Sequence, residues 1–291
     1  TPPRLSGKDA PRWTLRVTTH HTLYLVADTG QAATIQVDNL PLFDRVKGGL
    51  HFSKLSPLRG VQLADVIAIP KPTKMEGEWY LVCVSRLGMV KKTALSELPP
   101  PSSLPFQVVK INPGDSLIRL SVTRGDNDLV LVTAGGMAIR FTEDDVRPMG
   151  MIAAGVGAIK LNPSDEVIGA EVVKDGQELI VVASNGTAWR LSFDEFPRQG
   201  RNGIGVGVSK LPPGVRLAGI FSGKKTQHAS VQMRNAAARS MKISNLSTSK
   251  RMRAGQDLMP VKPNDQVVRV VPAQDWVALW NEKKINRPVR R

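Results

Sequence analysis

The stretch Lys160-Leu-Asn-Pro-Ser-Asp165 recurs along the chain with a fixed period. Its counterparts are Lys110-Ile-Asn-Pro-Gly-Asp115, Lys210-Leu-Pro-Pro-Gly-Val215 and Pro260-Val-Lys-Pro-Asn-Asp265, so that the prolines stand 50 residues apart. Proline presets φ at the first central position of a turn, and Gly, Ser or Asn suits the position after it. Apolar residues flank each turn, and the period therefore predicts a pair of strands around a tight turn in every copy.

A second hairpin recurs in each copy. An apolar strand such as 129–132 leads into a turn, and a strand of alternating character such as 137–141 leads out of it. These turns are Leu87-Gly88, Gly135-Gly136, Asn185-Gly186 and Arg234-Asn235. Five copies without an amphipathic helix predict an all-β, propeller-like ring rather than a helical solenoid. The predicted repeats cover roughly residues 14–69, 79–122, 128–173, 178–221 and 228–272.

The composition limits the class of protein. The chain has 291 residues, 41% of them hydrophobic, which is enough for a folded core and too apolar for a disordered chain. Its apolar runs are far shorter than the ~20 residues that a membrane-spanning helix needs. The single cysteine, Cys83, excludes an intrachain disulfide and lies in an apolar run typical of a core strand. We expect a cytoplasmic protein, and the start at Thr1 is typical of a fragment of a longer chain.

The charge indicates a polyanionic partner. Forty Lys and Arg residues oppose 25 Asp and Glu residues, for a formal net charge of +15. No carboxylate occurs between Glu195 and Asp257, a stretch that holds twelve cations. A solvated protein face usually mixes both signs of charge, so this stretch favours binding to nucleic acid. Arg198, Arg201, Lys224 and Lys225, which lie within it, are therefore candidate DNA ligands.

The repeat also predicts rows of cations. Four residues past the Gly or Asn of each hairpin turn stand Lys92, Arg140, Arg190 and Arg239. Because side chains alternate along a strand, we expect these four to point away from the apolar face and to line one continuous outer surface. A second row consists of Lys110, Lys160 and Lys210. Such rows suit the phosphate lattice of a duplex, although cations on strands can also serve only to keep a sheet soluble.

Three strings resemble a known family. Residues 129–141, 145–150 and 155–169 are similar to the C-terminal domain of the A subunit of bacterial DNA gyrase and to its topoisomerase IV counterpart, and the resemblance extends over about residues 14–272. It implies a β-pinwheel of about five to six four-stranded blades that exchange strands, forming one domain over residues 1–280. Residues 281–291 would be a basic, flexible tail. The resemblance further implies non-sequence-specific binding and bending or wrapping of duplex DNA on a basic perimeter, which presents a DNA segment for strand passage.

One motif of that family is altered here. The family's gyrase box, Gln-Arg-Arg-Gly-Gly-Lys-Gly, has its nearest match in the loop formed by Gln199, Gly200, Arg201, Asn202, Gly203, Ile204 and Gly205. Two cations of the box are lost, at Gly200 and Ile204, and the match lies in the fourth copy rather than in a first blade. The box-bearing blade is therefore either upstream or missing. We expect bending to be retained and full chiral wrapping to be weak, unless this segment is only a glycine-rich connection between blades.

The sequence holds no P-loop, HExxH or GxSxG motif and no histidine spacing typical of a metal site. We therefore expect no metal, no cofactor and no catalysis by this chain alone. The resemblance implies that the strand-cleaving tyrosine and the ATPase lie elsewhere, so that neither Tyr24 nor Tyr80 inherits that role. The resemblance implies as partners duplex DNA, the rest of the topoisomerase A subunit, and the ATPase B subunit, with the isolated domain monomeric.

Two alternative functions remain: a propeller that docks an acidic protein, and a propeller enzyme with a central pocket.

Overall fold

The computed structural model describes residues 10–42, 49–71 and 75–281. The predicted tail after residue 281 lies outside this part. Short strands dominate the described chain. In chain order they are β1 (Thr14–Arg16), β2 (His21–Ala27), β3 (Gln31–Gln36), β4 (Leu63–Pro70), β5 (Tyr80–Ser85), β6 (Met89–Ala94), β7 (Phe106–Gln107), β8 (Leu117–Thr123), β9 (Asp128–Thr133), β10 (Met137–Thr142), β11 (Val156–Gly157), β12 (Val167–Val172), β13 (Glu178–Ala183), β14 (Thr187–Leu191), β15 (Val206–Gly207), β16 (Leu217–Gly223), β17 (His228–Met233), β18 (Arg239–Lys242), β19 (Thr248–Ser249), β20 (Gln256–Asp257) and β21 (Val267–Asp275), followed by helix α1 (Trp276–Asn281).

The strands form five sheets, which are the blades of a ring. Blades 1 to 5 have the strand orders β4-β2-β3-β7, β8-β5-β6-β11, β12-β9-β10-β15, β16-β13-β14-β19 and β1-β21-β17-β18, and β20 joins blade 4 by pairing with β14. The all-β, propeller-like ring of about five to six four-stranded blades predicted from the sequence is thus confirmed, with five blades.

Each of blades 1 to 4 is completed by the following repeat. Strands β7, β11, β15 and β20 pair antiparallel with the outer strands β3, β6, β10 and β14 of the preceding blade. They begin at residues 106, 156, 206 and 256, at the same 50-residue interval as the proline turns. The exchanged strand covers an edge that would otherwise expose unpaired N–H and C=O groups. Four loops lead into these strands at the outer edges of the blades: residues 99–105, 149–155, 199–205 and 249–255, which we call the rim loops.

The core lies between adjacent blades. Val82 and Val84 of blade 2 pack against Leu129 and Leu131 of blade 3, while the alternate residues of β9 face blade 4, so that all six residues of this strand are buried. Strands covered on both faces have continuous apolar sequences, as here. Cys83 is buried, as its apolar run predicts, and burial raises the pKa of its thiol to about 12. The inner strands β4, β8, β12, β16 and β21 surround an axial cavity of about 410 Å³.

Both ends of the described chain contribute to the closure of the ring. Strand β1 pairs in parallel with β21 of blade 5, and Leu15 in β1 packs against blade 1. In α1, the Trp280 Nε1 donates to Ala68 O of blade 1 at 2.9 Å, and the Trp280 ring lies 4.5 Å from the Trp79 ring. The repeat pattern predicted neither β1 nor α1. No helix in the described ranges is long and apolar enough to cross a bilayer.

We expect Gly205→Ala to weaken the exchange between repeats. Gly205 has φ +76°, and a Cβ there would lie 2.2 Å from Ala138 O. The strain of the left-handed backbone and this clash together should lower the free energy of unfolding by about 2 kcal/mol or more, measured by urea denaturation. Gly200→Ala in the same loop is the control, because its Cβ would meet nothing within 4 Å. Equal stability of the two variants would contradict the prediction.

Candidate nucleic-acid interface

The first predicted row of cations is not an outer surface. Lys92 is 4% exposed and Arg190 5%, and the Arg140 side chain is 16% exposed. The prediction that these three line a continuous outer face is therefore wrong. Arg140 and Arg190 do point away from the apolar side chains of their own strands, but the next blade covers that side as well. Phosphates of a bound duplex have no direct access to Lys92 or Arg190.

These three cations connect adjacent blades instead. Lys92 Nζ donates to Glu143 O at 2.8 Å, Arg140 Nη1 to Phe193 O at 2.8 Å and Arg190 Nη1 to Leu246 O at 2.6 Å. The acceptors lie in, or directly after, the short 3₁₀ turns Glu143–Asp145, Phe193–Glu195 and Ile243–Asn245, one blade further on. We call these contacts the inter-blade clasps. Each gives a buried cation a carbonyl acceptor in the next blade.

Two of the clasps also contain a carboxylate. Arg140 Nε donates to Asp128 Oδ2 at 2.8 Å, and Arg190 Nε donates to Glu178 Oε2 at 2.7 Å. Asp128 and Glu178 occupy the same position in successive repeats, at the start of β9 and β13. The charge of each arginine is thus neutralised inside the protein.

Arg239 is exposed but does not belong to the same row. It pairs with Val231, and the corresponding pair one repeat earlier is Trp189 with Val181. The residue equivalent to Arg190 is Ser240, because the two hairpins have the same register and Asn235 occupies the position of Asn185 rather than that of Gly186. A shift of one residue places a side chain on the opposite face of the strand. The prediction that Arg239 continues the row is wrong for this reason.

The second row is exposed and regular. Lys110, Lys160 and Lys210 are all exposed, and each directly follows the short buried segment after an exchanged strand. Lys110 N donates to Ala153 O at 3.2 Å and Lys160 N to Gly203 O at 2.9 Å, while Lys210 lines a surface pocket together with Arg253. Each lysine therefore stands beside a rim loop. In the described part of the chain, none of the three ammonium groups has a carboxylate partner.

The loop that resembles the gyrase box is the rim loop of blade 3. Gln199 N donates to Arg140 O at 2.7 Å, and Asn202 N donates to Ala158 O at 2.6 Å. Arg201 bonds Asp145 O at 2.9 Å through Nε and Gly157 O at 3.0 Å through Nη1. Arg201 is therefore half-buried and holds the loop in place, while Gly200, Asn202 and Ile204 are exposed.

The remaining predicted cations occupy two places. Arg198 precedes the rim loop of blade 3, and its side chain is 64% exposed although Nη2 lies 2.9 Å from Asp128 Oδ1. Lys224 and Lys225 are exposed in the connection from β16 of blade 4 to β17 of blade 5, away from the rim loops. Arg198 thus lies next to the rim loop of blade 3, whereas Lys224 and Lys225 lie elsewhere on the ring.

Two rim cations were not singled out from the sequence. Lys250 and Arg253 are exposed in the rim loop of blade 4, where Arg251 bonds Glu195 O and Gly207 O as Arg201 bonds its two carbonyls. Their position could have been found, because residues 249–255 lie 50 residues after the box-like loop and within the acid-free stretch.

A buried carboxyl lies beside the first clasp. Glu143 has no exposed surface; its Oε1 accepts a hydrogen bond from Thr123 Oγ1 at 2.7 Å, and its Oε2 has no partner among the described residues. Burial raises the pKa of the Glu143 carboxyl to about 7, although the hydrogen bond from Thr123 and the charge of Lys92 lower it. The group can therefore lose its proton near neutral pH while it remains inside the protein.

We expect Arg190→Met to destabilise the ring and Lys160→Met to leave its stability unchanged. Removing Arg190 leaves the Glu178 carboxylate and Leu246 O without their cationic donor, which should cost about 2–4 kcal/mol. Lys160 is exposed, and its loss should change the free energy of unfolding by less than about 0.5 kcal/mol. Chemical denaturation measures both values. A stable Arg190 variant would show that the clasps do not hold the blades together.

We expect the stability of the chain to fall as the pH rises from about 5 to about 8. Between the usual pKa of 4.5 and the folded value of about 7, folded Glu143 keeps a proton that the unfolded chain loses. Raising the pH then favours unfolding, by about 3 kcal/mol in total. Glu143→Gln removes this proton equilibrium and should reduce the pH dependence in that window by the same amount. Parallel pH profiles for the two proteins would contradict the assignment.

Comparison with known proteins supports the resemblance. The family model described as "DNA gyrase C-terminal domain, beta-propeller" matches residues 80–124, 127–174 and 177–224. The A subunit of DNA gyrase from Salmonella typhimurium strain LT2 is 33% identical over 156 residues, which are 54% of this chain and 18% of that protein. The chain thus spans less than a fifth of the length of this curated relative.

Solved structures agree with this match. The crystal structure of the C-terminal domain of DNA topoisomerase IV aligns with a TM-score of 0.79 at 25% identity, covering 89% of this chain and 81% of the other. The DNA gyrase A C-terminal domain aligns with a TM-score of 0.74 at 18% identity, covering 89% and 84%, and so shares the fold. Together with the three matched repeats, these similarities confirm the resemblance to the C-terminal domains of the A subunit of DNA gyrase and of topoisomerase IV.

Proposed function

We propose that this chain binds duplex DNA through its phosphates, without reading the base sequence, and bends the duplex around the outer rim of the ring. The observation that supports the proposal is the row of Lys110, Lys160 and Lys210, which are exposed, free of carboxylate partners in the described chain, and repeated beside successive rim loops. A regular row of unpaired cations on a curved edge suits a regular lattice of phosphates.

The charge of the rim increases along the chain. The rim loops 99–105 and 149–155 contain no cation, whereas loop 199–205 contains Arg201 and loop 249–255 contains Lys250, Arg251 and Arg253. No carboxylate interrupts residues 196–256, so the rim of blades 3 and 4 offers the highest density of positive charge. Bending a ~20–30 bp duplex costs a few kcal/mol, which the additional phosphate contacts along the curve offset.

The family sets the context of this activity. We propose that the chain is the accessory C-terminal domain of a type IIA topoisomerase A subunit, and that it presents a DNA segment for strand passage by the rest of the enzyme. Its partners are then duplex DNA, the remainder of the A subunit, and the ATPase B subunit, in the cytoplasm, with the isolated domain monomeric. The strand-cleaving tyrosine and the ATPase belong to those other parts. Because the box-like loop has lost two cations, we assign this chain bending rather than full chiral wrapping.

We expect the triple variant Lys110→Gln, Lys160→Gln, Lys210→Gln to bind duplexes of every sequence more weakly. Three lost phosphate contacts should make the log–log dependence of the association constant on salt shallower by about 2.7. Fluorescence anisotropy of a labelled duplex across a salt series measures this slope. Ligation of nicked circles with the wild-type chain measures wrapping in parallel, and we expect little change in linking number.

The matched control removes the same charge elsewhere. Lys54, Arg59 and Lys71 are exposed in the first repeat, and their triple change to Gln should leave the salt slope close to that of the wild type. Equal slopes for the two triple variants would refute a specific role for the rim lysines. Salt-sensitive binding to acidic proteins, with none to DNA, would instead favour the alternative of a protein-docking propeller.

A further inference from the structure

Each rim loop exposes one large apolar side chain. Leu104 is 71% exposed, Ile152 77%, Ile204 58% and Met252 55%. They account for four of the eight large apolar residues that are exposed in the described ranges. Scattered exposed apolar residues are common and need no explanation. Here, however, one recurs in each of four equivalent loops at the outer edges of successive blades, which is not scatter.

The loops hold these side chains in fixed positions. Lys160 N donates to Gly203 O beside Ile204, Met252 N donates to Val208 O at 2.9 Å, and Lys110 N donates to Ala153 O beside Ile152. The Met252 backbone has φ +59°, a conformation that a long side chain seldom adopts. An exposed apolar side chain on a backbone held by hydrogen bonds is prepared for a contact with a partner.

The surroundings of these side chains define the partner. Each of Ile152, Ile204 and Met252 has one of the exposed lysines of the second row beside its loop. The partner must therefore carry anionic groups and, between them, a surface that accepts an aliphatic group. A base step of duplex DNA has both features, because phosphates border a groove in which stacked bases can be parted by an apolar wedge.

The shape of the rim favours DNA over other anionic partners. The loops lie on successive blades of a ring and point outward from it, so that a flat anionic bilayer touches the loops of few blades at once. A bent duplex follows the curve and contacts all of them in turn. We propose that Leu104, Ile152, Ile204 and Met252 insert between base steps of the bound duplex and kink it at intervals. This inference rests on the proposed DNA binding and specifies how the bend is produced.

The double variant Ile152→Ala, Ile204→Ala tests whether the rim side chains insert between base steps. The probe is a duplex with 2-aminopurine at several TA steps, which are easily unstacked, and with a fluorophore pair at its ends. With the wild-type chain we expect 2-aminopurine fluorescence to rise about twofold and the end-to-end transfer to increase, as unstacking and kinking require. The variant should lose most of both changes, while its affinity falls less than about threefold because the phosphate contacts remain.

A matched double variant controls for the loss of apolar surface. Leu87→Ala, Val268→Ala removes two apolar residues that are each 43% exposed away from the rim loops, and it should behave as the wild type. Two results would overturn the inference that these side chains insert between base steps, and would leave the proposed function intact. One is binding of the duplex without a rise in 2-aminopurine fluorescence, and the other is unchanged bending by the Ile152→Ala, Ile204→Ala variant. Absence of any DNA binding would overturn both. Loss of anionic-vesicle binding in the rim variant, with DNA bending intact, would assign the side chains to a membrane surface and overturn the inference.

Discussion

The structure depends on one constraint: except at the closure of the ring, the outer edge of each blade is completed by the repeat that follows it. The exchanged strands contribute only two residues each, too few to hold an edge by themselves. The inter-blade clasps add further contacts between neighbouring repeats, since the side chains of Lys92, Arg140 and Arg190 each donate to a carbonyl of the next repeat. A buried cation is tolerated only where its donors are satisfied, and here the turn of the neighbouring blade satisfies them. The same period therefore fixes both the backbone exchange and the buried charges.

This constraint explains why the cations with the clearest period in the sequence are not those on the surface. Alternation along a strand shows which side chains share a face, but it does not show what covers that face. In an isolated sheet the face opposite the core is exposed to solvent, whereas in a ring of blades the neighbouring blades cover both faces of each sheet. Arg140 and Arg190 were thus assigned correctly to one face and wrongly to solvent. Arg239 was misplaced for a different reason: the count of four residues began at Asn235, which corresponds to Asn185 and not to Gly186, so that it ended one residue too early.

Features that repeat could be predicted, and features that occur once could not. The proline turns, the two hairpins and the all-β ring follow from local patterns that recur, as does the burial of Cys83. Strand β1 and helix α1 occur once, at the ends of the described chain, and their role in closure depends on contacts such as Trp280 with Ala68, which are distant in sequence. The burial of the Glu143 carboxyl could not be predicted from the repeat either, since the repeats that follow have Phe193 and Ile243 at the equivalent position. A site that breaks the repeat is seen only when the neighbours that bury it are known.

The altered box-like loop shows how charge and apolar surface are shared along the rim. Its remaining arginine, Arg201, is held by two backbone carbonyls, and Arg251 is held in the same way one repeat later. The arginine that survives from the box motif therefore shapes the loop, and the charge available to a ligand comes from other residues: Lys160 beside the loop, and Lys250 and Arg253 in the next one. At the position of the lost lysine stands Ile204, an exposed aliphatic group next to that charge. A rim built in this way favours a partner that offers phosphates and stacked bases together, which a bent duplex does and a simple polyanion does not.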